Sequence, residues 1–379
     1  MNPTGHHPMT GAAPRVLTLN AGSSSLKWAL YAGRERVAAG AVDRIAATAA
    51  DHGAALARIL EDLGASELSR LEGVGHRVVH GGPLQDRACR VTPRLLAELE
   101  PLVPLDPDHL PAELAIIAEV GRRWPHLPQV ACFDTAFFAD LPRLARLLPI
   151  PRRHADEGVR RYGFHGLSYT FLMEELARIA PATVRGRVVL AHLGSGASMA
   201  AVRDGRCVET TMGFTPNSGL MMGTRSGDLE PGVLLHLLRS GMDVDDLVNH
   251  RSGLLGVSGT SADLRDLLSA EDHDPHAAEA VALFCYQATK AVGALAATLG
   301  GLDTLVFAGG IGQHAAPVRR RIAERLGHLG VEIDLVRNQA GEAVISTDGS
   351  RTVARVLHTD EASVIARQTI AVLTDGDPT

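Results

Sequence analysis

The sequence predicts an α/β protein that contains two copies of one domain. Short apolar segments with the pattern of buried strands alternate with longer segments whose apolar residues recur at helical spacing. Strands interleaved with helices are typical of the α/β class. One arrangement of strands and loops near the start of the chain returns close to its middle. The length of 379 residues is sufficient for two domains.

The repeated arrangement is strand, Gly/Ser loop, strand, turn, strand. In the first copy the strands are residues 16–19, 26–31 and 36–42, and in the second copy they are 188–191, 197–202 and 207–211. A shift of 172 positions aligns Gly22 with Gly194 and Ser23 with Ser195. So long a period indicates a duplicated domain rather than a solenoid. Two unrelated hairpins that use the same turn residues are the alternative.

Further elements alternate in both halves. Apolar spacing predicts helices over residues 51–63, 111–121, 169–179, 278–299 and 361–373. Continuous apolar runs predict buried strands at residues 75–79, 130–133, 304–307 and 352–357. The helix around residues 277–299 carries Glu279, Gln287 and Lys290, so it is expected to be a core helix rather than a membrane span.

Composition excludes several classes of function. The chain has 37 basic and 43 acidic residues, and this balance disfavours nucleic-acid binding, which needs a basic surface. Aromatic residues make up 4%, too few for base-stacking platforms. The four cysteines form no Cys-x-x-Cys pair, which excludes thiolate zinc and dithiol redox sites. Residues 1–14 have the composition of a flexible tail and not of a signal peptide, so we expect a cytoplasmic protein without membrane contact.

Two Gly/Ser loops are candidates for binding phosphate. Residues 20–27 read Asn-Ala-Gly-Ser-Ser-Ser-Leu-Lys, and a Gly/Ser turn between strands can direct backbone N–H groups and hydroxyls at an anion. The loop is not a P-loop, because no Gly-Lys-Ser/Thr closes it. A surface hairpin is the alternative. The copy of this loop at residues 192–196 indicates that two such loops face one nucleotide. The glycines of Gly309-Gly310-Ile311-Gly312 would let the backbone approach the ligand closely at a third place.

Single charged residues in apolar surroundings indicate an anion site. Arg77 lies within the apolar run at residues 75–79, and Arg225 lies in Gly-Thr-Arg-Ser-Gly-Asp. A buried arginine needs a partner, either a structural ion pair or a bound carboxylate or phosphate, which its guanidinium matches. Asp134 ends a predicted strand, where α/β folds bind ligands, although a helix cap is the alternative. His165 sits between glycines in a loop, which favours a ligand contact.

In this order, the motifs resemble those of the acetate kinase family. They are Asn-Ala-Gly-Ser-Ser-Ser-Leu-Lys, Gly-His-Arg-Val-Val-His-Gly-Gly, Phe-Asp-Thr-Ala-Phe, Arg-Tyr-Gly-Phe-His-Gly, His-Leu-Gly-x-Gly-Ala-Ser, Met-Gly-Phe-Thr-Pro, Gly-Thr-Arg-Ser-Gly-Asp and Gly-Gly-Ile-Gly. The resemblance extends from Val16 to about Gln368. It implies two duplicated actin-like, ribonuclease-H-like domains with a cleft between them, as in actin, sugar kinases and chaperones. The expected domains are residues 15–160 with 360–379, and residues 161–359.

The resemblance also implies a reaction and its partners. Members of the family are homodimers that transfer a phosphoryl group between ATP and acetate with Mg²⁺, giving acetyl phosphate and ADP; Mn²⁺ is a possible substitute. The implied metal positions are Asn20 and Glu361. The implied catalytic residues are Arg77, which binds the substrate carboxylate, Asp134, His165 and Arg225. Because acetate is already ionised near neutral pH, we expect Asp134 to orient metal-bound water rather than to remove a proton.

The remaining implied positions surround the two substrates. The methyl pocket comprises Val79, Leu105, Phe164 and Pro216. The nucleotide positions are Ser23, Ser25, Lys27, His192, Leu193, Gly194, Ser195, Gly196, Asp263, Leu264, Arg265, Gly310, Ile311, Gly312, Gln313 and His314. The sequence departs from the usual family residues in and around these positions: Asp106 replaces a pocket histidine, Ser195 replaces Asn, Leu264 replaces Phe, and Gln313-His314 replaces Glu-Asn.

Two other functions fit the sequence. One is a propionate or other short-chain acyl kinase, which a pocket reshaped by Asp106 would favour. The other is a non-catalytic ATP-binding switch of the actin or chaperone kind. Arg77, His165 and Arg225 together argue against a switch, because a switch needs no clamp for a carboxylate.

Overall fold

The computed structural model describes residues 13–22, 25–43, 45 and 51–375. Ser23 and most of the predicted tail lie outside the described residues. The chain divides into two compact units. The first unit comprises Met1–Val78, Arg87–Phe133 and Ala362–Thr379, and the second comprises Val79–Asp86 and Asp134–Glu361. The domain limits expected from the sequence stay predictions.

The first unit contains a six-stranded sheet in the order β3-β2-β1-β4-β6-β5. β1 pairs antiparallel with β2 and parallel with β4, and β4 pairs parallel with β6. Its strands are β1 Arg15–Ala21, β2 Ser25–Ala32, β3 Glu35–Asp43, β4 Gly73–Val78, β5 Cys89–Arg90 and β6 Gln129–Phe133.

The second unit contains a five-stranded sheet in the order β11-β10-β7-β8-β9. β7 pairs antiparallel with β8 and parallel with β10, which pairs parallel with β11. Its strands are β7 Arg187–Leu193, β8 Ala197–Arg203, β9 Arg206–Thr210, β10 Thr304–Ala308 and β11 Val353–Val356.

The two sheets share one strand order, which the sequence repeat predicted. Read from their hairpin edges, β3-β2-β1-β4-β6 matches β9-β8-β7-β10-β11, with the same parallel and antiparallel pairings. Arg15–Ala21 and Arg187–Leu193 occupy equivalent central strands. Two unrelated hairpins would not be continued by two further strand pairings in the same order. The predicted α/β class with a duplicated fold is confirmed.

The predicted helices are present, with ends that differ by a few residues. The short helices at residues 93–99, 143–156, 231–270, 309–314 and 335–340 were not predicted. The helices are α1 His52–Leu68, α2 Pro93–Leu99, α3 Leu110–Arg123, α4 Arg143–Arg146, α5 Arg152–Asp156, α6 Gly166–Ile179, α7 Pro231–Arg239, α8 Val244–His250, α9 Gly253–Ser258, α10 Leu264–Ala270, α11 Pro275–Leu299, α12 Gly309–His314, α13 Ala316–Ala323, α14 Leu335–Ala340 and α15 Glu361–Asp375. Short 3₁₀ turns occupy Glu100–Leu105, Ala136–Phe138, Thr183–Arg185 and Gly327–Leu329.

Each unit has its own apolar core. In the first unit, α1 and α3 cover one face of the sheet and bury residues such as Leu56, Ile59 and Ile116 against β1. Ala366 of α15 packs with Val16, Ala29 and Tyr31. In the second unit, α6 packs on the strands, with Tyr169, Leu172 and Leu176 among the buried residues. This burial stabilises each sheet by removing apolar surface from water.

Helix α11 is a core helix of the second unit, as the sequence predicts. Asp274 caps its start by accepting from the backbone N–H of His276, and Gly300 ends it in the left-handed conformation. Its length of 25 residues and mean hydropathy of 1.3 would also fit a membrane span. However, its buried residues, including Phe284, Ala288 and Leu295, pack within the unit against β7, β8 and neighbouring helices.

Candidate active site

A cavity of about 720 Å³ in the second unit is formed by loops at the ends of its strands. This volume lies in the range of small-molecule sites. Its lining is mainly apolar with a few polar groups, as expected for a site that holds an aromatic base. The lining residues are Gly194, Ser195, Ala262, Asp263, Leu264, Arg265, Leu268, Gly310, Ile311, His314, Ala315 and Pro317.

Two tight backbone turns shape this cavity. The loop between β7 and β8 folds back on itself, because the Gly194 N–H donates to the Gly196 carbonyl at 3.0 Å. The chain leaves β10 through Gly309, which has a φ of +74°. A Cβ at position 309 would lie 2.6 Å from the Leu193 carbonyl oxygen, so the two turns meet only because this residue is glycine.

The third wall begins at Asp263, the N-cap of α10. Its carboxylate accepts from the Arg265 backbone N–H at 2.9 Å and pairs with the Arg265 guanidinium at 2.5 Å. The guanidinium holds the pKa of the Asp263 carboxyl below its usual value. Leu264 is buried beside them and offers an aliphatic surface where the sequence comparison with the family expects an aromatic ring.

A buried arginine supports the wall formed by α12. Arg319 is 1% exposed, and its guanidinium donates to the carbonyl oxygens of Gly312 and Gln313 and to the side chain of Asn338. Burial lowers the pKa of this guanidinium. Its partners are the carbonyls that the end of a helix leaves unsatisfied. Arg319 therefore fixes the backbone next to His314, which lines the cavity.

His165 and Arg225 converge on Gly196. A Cβ at position 196 would lie 2.7 Å from Nη2 of Arg225 and 3.4 Å from Nε2 of His165. His165 is the N-cap of α6 and adopts the left-handed conformation at φ 63° and ψ 24°. This conformation is uncommon outside glycine and is typical of functional positions. The predicted histidine and arginine therefore meet at one edge of the loop whose residues Gly194 and Ser195 line the cavity.

The ring of His165 stacks on that of His192, with centroids 4.4 Å apart. Nδ1 of His165 contacts Oγ of Ser198 at 2.8 Å, and Oγ of Ser198 lies 2.5 Å from the Tyr169 hydroxyl. Nδ1 of His192 contacts Oγ of Ser168 at 2.8 Å. Burial raises the pKa of Tyr169, which keeps the phenol protonated. Both imidazoles are thus held from behind by serine hydroxyls.

The predicted acyl-pocket residues of the second unit adjoin this group. Val79 and Phe164 are buried, and the His80 ring packs edge-on to Phe164 at 5.4 Å between centroids. The carbonyl oxygen of Pro216 accepts from Nη1 of Arg225 at 2.8 Å. The pocket wall at Pro216 and the arginine are therefore directly joined.

Asp134 is fully buried at the carboxyl end of β6. Its carbonyl oxygen accepts from the Gly166 N–H at 2.9 Å, which ties it to the start of α6 beside His165. The short helix that follows has Thr135 at its N-cap, so Asp134 is not the cap of that helix.

The first unit carries the predicted residues Asn20, Arg77 and Leu105. Arg77 lies on β4, and its Nη1 is 3.5 Å from Oδ1 of Asn20 and 3.7 Å from Oε1 of Glu113. The Glu113 side chain is fully buried. Arg77 therefore has the ion pair that a buried arginine needs, within its own unit.

The other predicted positions of this unit lie on β2 and in the loop after the Glu100–Leu105 turn. Lys27 is exposed and pairs in register with Asn20, and Ser25 accepts at its carbonyl from the Gly22 N–H at 2.8 Å. Asp106 is buried, and its carboxylate contacts both the backbone N–H and Nδ1 of His109.

Comparisons with known proteins identify the family. The model of the acetokinase family matches residues 34–367. An acetate kinase from Rhodopseudomonas palustris is 49% identical over 305 residues, which cover 79% of this chain and 76% of the relative. The chain belongs to the acetokinase family. Its members are phosphotransferases with a carboxyl group as acceptor, so the non-catalytic switch considered above is not supported.

Solved structures agree with the acetokinase fold. The acetate kinase of Porphyromonas gingivalis superposes with a TM-score of 0.85 and 34% identity, covering 96% of this chain and all of that one. A propionate kinase from Francisella tularensis gives a TM-score of 0.87 and 32% identity, covering 94% of this chain and 99% of that one. Both are named kinases, and the two names differ in the acid.

The metal positions implied by the acetokinase family supply oxygen ligands. Asn20 offers an amide oxygen and Glu361 a carboxylate, which are donors that suit Mg²⁺. Within the described ranges there is no cluster of three His, Cys, Asp or Glu side chains that would form a metal cage.

The sequence analysis named most of the residues that line the cavity, but it did not name the residues that hold them in place. His192, Leu193, Gly196, Gly312 and Gln313 are not among the residues that line the cavity, and they lie beside or beneath those that do. The supporting residues Ser168, Tyr169, Ser198, Glu113 and Arg319 were not predicted. Only Ser198 lay within a quoted motif, His-Leu-Gly-x-Gly-Ala-Ser, and its hydroxyl carried no separate signal.

Proposed function

We propose that this chain catalyses the reversible transfer of the γ-phosphoryl group of ATP to acetate, giving acetyl phosphate and ADP. The observation that carries the proposal is the convergence of His165 and Arg225 on Gly196, beside a cavity of nucleotide size. Phosphoryl transfer requires positioned donors around the moving group more than it requires covalent chemistry. Membership of the acetokinase family supports the acceptor as a carboxylate.

The proposed reaction is a direct displacement. A carboxylate oxygen of acetate attacks the γ-phosphorus with a lone pair, while the bond from that phosphorus to the β–γ bridging oxygen breaks and its electron pair leaves with ADP. Acetate is ionised at neutral pH, so no proton has to be removed. The barrier arises from bringing one anion towards another, and positioning and charge neutralisation lower it.

The basic residues divide this task. We assign Arg77 to the acetate carboxylate, and Arg225 and His165 to the oxygens of the transferring phosphoryl group. Glu113 partly balances the charge of Arg77, so acetate competes with an internal carboxylate for the same guanidinium. This competition favours release of product, because it weakens the hold on the carboxylate.

The cavity is assigned to ATP. Leu264, Leu268, Ile311 and Pro317 offer aliphatic surface to the base, and Gly194 and Ser195 lie towards the phosphates. Ser23, Ser25 and Lys27 are assigned to the phosphates from the first unit, on the resemblance alone. Because the lining contains no Phe, Tyr or Trp among the described residues, we assign the base to apolar packing on these aliphatic side chains.

We assign Asn20 and Glu361 to Mg²⁺ and Asp134 to the orientation of metal-bound water; Mn²⁺ shares the same ligand preference. When bound, the ion would supply neutralisation of the negative charge on the phosphates. We assign Asp134 no role as a base, because acetate is already ionised at neutral pH.

Val79, Leu105, Phe164 and Pro216 are assigned to the methyl group of acetate. Discrimination by one methylene is worth only ~1–3 kcal/mol, so propionate is expected to be a weaker substrate. A propionate kinase is the second candidate, favoured by Asp106 in the pocket segment and by the likeness to the propionate kinase of Francisella tularensis.

We also propose a homodimer in the cytoplasm, without nucleic-acid or membrane partners. Helix α7 exposes Val233, Leu235 and Leu238, and Met242 after it is also exposed. Such an apolar patch is typical of an interface between subunits.

The test is an acyl-phosphate assay with hydroxylamine, using ATP with acetate, propionate or butyrate. We expect acetate to give the highest kcat/KM. Arg225→Ala is expected to lower kcat about 10²–10³-fold, the usual loss for one electrostatic stabiliser. Arg178→Ala, at an exposed arginine paired with Glu175, is the matched control and should keep full activity. Normal turnover by Arg225→Ala would refute the assignment, and a higher kcat/KM with propionate would select the second candidate.

A further inference from the structure

Behind the two stacked imidazoles lie two similar chains of hydroxyl groups. Ser198, Tyr169 and Ser168 are fully buried. One chain runs from Tyr169 through Ser198 to Nδ1 of His165, and the other runs from Thr359 through Ser168 to Nδ1 of His192. No role in the reaction has been given to these four hydroxyls. Their arrangement decides which nitrogen of each ring carries a proton.

The direction of the first chain follows from its donors. Burial raises the pKa of the Tyr169 phenol, so the hydroxyl keeps its proton. The Ser198 oxygen lies 2.5 Å away, and a phenol is a stronger donor than an alkyl hydroxyl. Ser198 accepts this proton and has one proton left, which it donates to Nδ1 of His165 at 2.8 Å.

The second chain has the same direction. The Thr359 hydroxyl donates to Oγ of Ser168 at 2.9 Å. Ser168 has a single proton and donates it to Nδ1 of His192 at 2.8 Å. In both rings Nδ1 is therefore an acceptor, and a neutral imidazole with Nδ1 as acceptor carries its proton on Nε2.

The Nε2 atoms face the loop between β7 and β8. A Cβ at Gly196 would lie 3.4 Å from Nε2 of His165, and one at Gly194 would lie 4.0 Å from Nε2 of His192. Gly194 lines the nucleotide cavity. Each ring thus presents its N–H to the loop assigned to the phosphates.

We propose that Tyr169, Ser198, Ser168 and Thr359 are positioning residues that hold His165 and His192 as Nε2–H tautomers, so that both rings donate to phosphate oxygens. This inference rests on the proposed function for the identity of the acceptor, but the tautomers do not depend on it. A donor fixed before substrate binds needs no reorganisation during the reaction, which is the source of its catalytic effect. A ring in the other tautomer would direct a lone pair at an anion.

The tautomers are measured by nitrogen–proton correlation NMR on the full chain labelled with ¹⁵N-histidine, with signals assigned by His165→Gln and His192→Gln. We expect Nδ1 of both residues to show the shift of an unprotonated nitrogen and Nε2 that of a protonated one. Protonated Nδ1 in the wild-type protein would overturn the inference.

Variants then separate positioning from packing. Tyr169→Phe keeps the ring in the core and removes only the hydroxyl, and Ser198→Ala removes the direct partner. We expect both to populate the Nδ1–H tautomer of His165 and to lower kcat by about 10-fold or more, while KM for ATP and acetate changes by less than about threefold, since one preorganised donor is affected. Ser168→Ala and Thr359→Val should shift His192 in the same way.

Tyr286→Phe and Thr298→Val are matched controls, because these hydroxyl residues are exposed or bond only within their own helix. They should leave tautomers and kcat unchanged. If Tyr169→Phe keeps the Nε2–H tautomer, or if kcat falls without a tautomer change, the hydroxyls serve packing and the inference fails. Wild-type protein with the expected tautomers but no acyl-phosphate formation would refute the proposed function and leave the tautomer assignment standing.

Discussion

At the scale of single residues, the site depends on how closely side chains approach the backbone. Gly196 has no left-handed φ, so its backbone would accept alanine. Its importance lies in the space that His165 and Arg225 occupy above it. Both side chains would have to move to make room for one methyl group. Displacements of this size are sufficient to disturb a phosphoryl transfer, since reacting groups must be held within a fraction of an ångström.

Gly196→Ala is therefore expected to lower kcat by about 10²-fold, the cost of misplacing groups by about 1 Å. The thermal stability should change little, because the guanidinium is the end of a flexible side chain. Steady-state kinetics and a thermal melt measure the two effects. Gly293→Ala, where an added Cβ meets nothing within 4 Å, is the control and should keep full kcat. Equal kcat for both variants would contradict the convergence of His165 and Arg225.

A second residue controls acid stability. His76 lies in β4 and is 2% exposed, and burial lowers its pKa from 6.5 to about 4. The Gln129 amide finds partners for both its oxygen and its nitrogen in one orientation. In that orientation the Gln129 side-chain nitrogen donates to Nε2 of His76 at 2.8 Å. The folded protein therefore keeps this ring neutral at a pH where the unfolded chain protonates it. The unfolded state binds more protons between the two pKa values, so stability rises with pH in that window.

The free energy of unfolding is expected to fall by roughly 3 kcal/mol from this group as the pH decreases from 6.5 to 4. Chemical denaturation at several pH values measures it. His76→Asn should flatten the dependence in that range even if it lowers stability overall, whereas His126→Asn, at an exposed histidine, should not. An unchanged slope in His76→Asn would show that other groups cause the acid sensitivity.

At the scale of elements, the cavity that we assign to the nucleotide lies where two strand–turn connections of the second sheet meet. The loop after β7 and the turn after β10 contact one another at Gly309, and α10 adds the remaining wall. The wall from α12 is a short helix, and a helix of this length is not stable without tertiary support. Arg319 on α13 supplies it through the carbonyls of Gly312 and Gln313.

Arg319→Met is expected to raise KM for ATP by about 10-fold or more, because hydrogen bonds from a charged donor are worth ~1.5–3 kcal/mol. KM for acetate should change much less, since the predicted acyl-pocket residues lie on other segments. The matched control is Arg320→Met, at a partly exposed neighbour that pairs with Glu324. If KM for ATP stays at the wild-type value, Arg319 does not support the nucleotide wall.

At the scale of the whole molecule, two features bear on function and assembly: the duplicated sheets and the exposed helix α7. The duplication provides two Gly/Ser loops, one in each unit, from one ancestral pattern of strands. Helix α7 buries none of its residues within the chain described here. An amphipathic helix in a soluble protein normally buries its apolar face, and a second copy of the chain would do so.

The native protein is expected to sediment at twice the chain mass of 40.1 kDa. Introducing Leu235→Glu and Leu238→Glu together should give the single-chain mass, because burying two unpaired carboxylates at an interface is costly. Val336→Glu, at an exposed apolar residue of α14, is the control and should leave the mass unchanged. A native protein of single-chain mass would refute the dimer. A double variant that keeps the doubled mass would show that the interface does not include helix α7.

The sequence alone predicted the α/β class, the repeated strand order and the long helices, and it named the candidate site residues. The repeat at 172 positions predicted two sheets of one topology, because strand and turn signals are local. The motifs around Arg77, His165 and Arg225 identified the family. Tertiary structure decided what these signals could not: that His165 and Arg225 meet over Gly196, that buried hydroxyls stand behind both imidazoles, and that Arg319 supports the nucleotide wall. These contacts join residues far apart in the chain. The sequence around a serine, a tyrosine or an arginine does not show which group that side chain contacts in the folded protein.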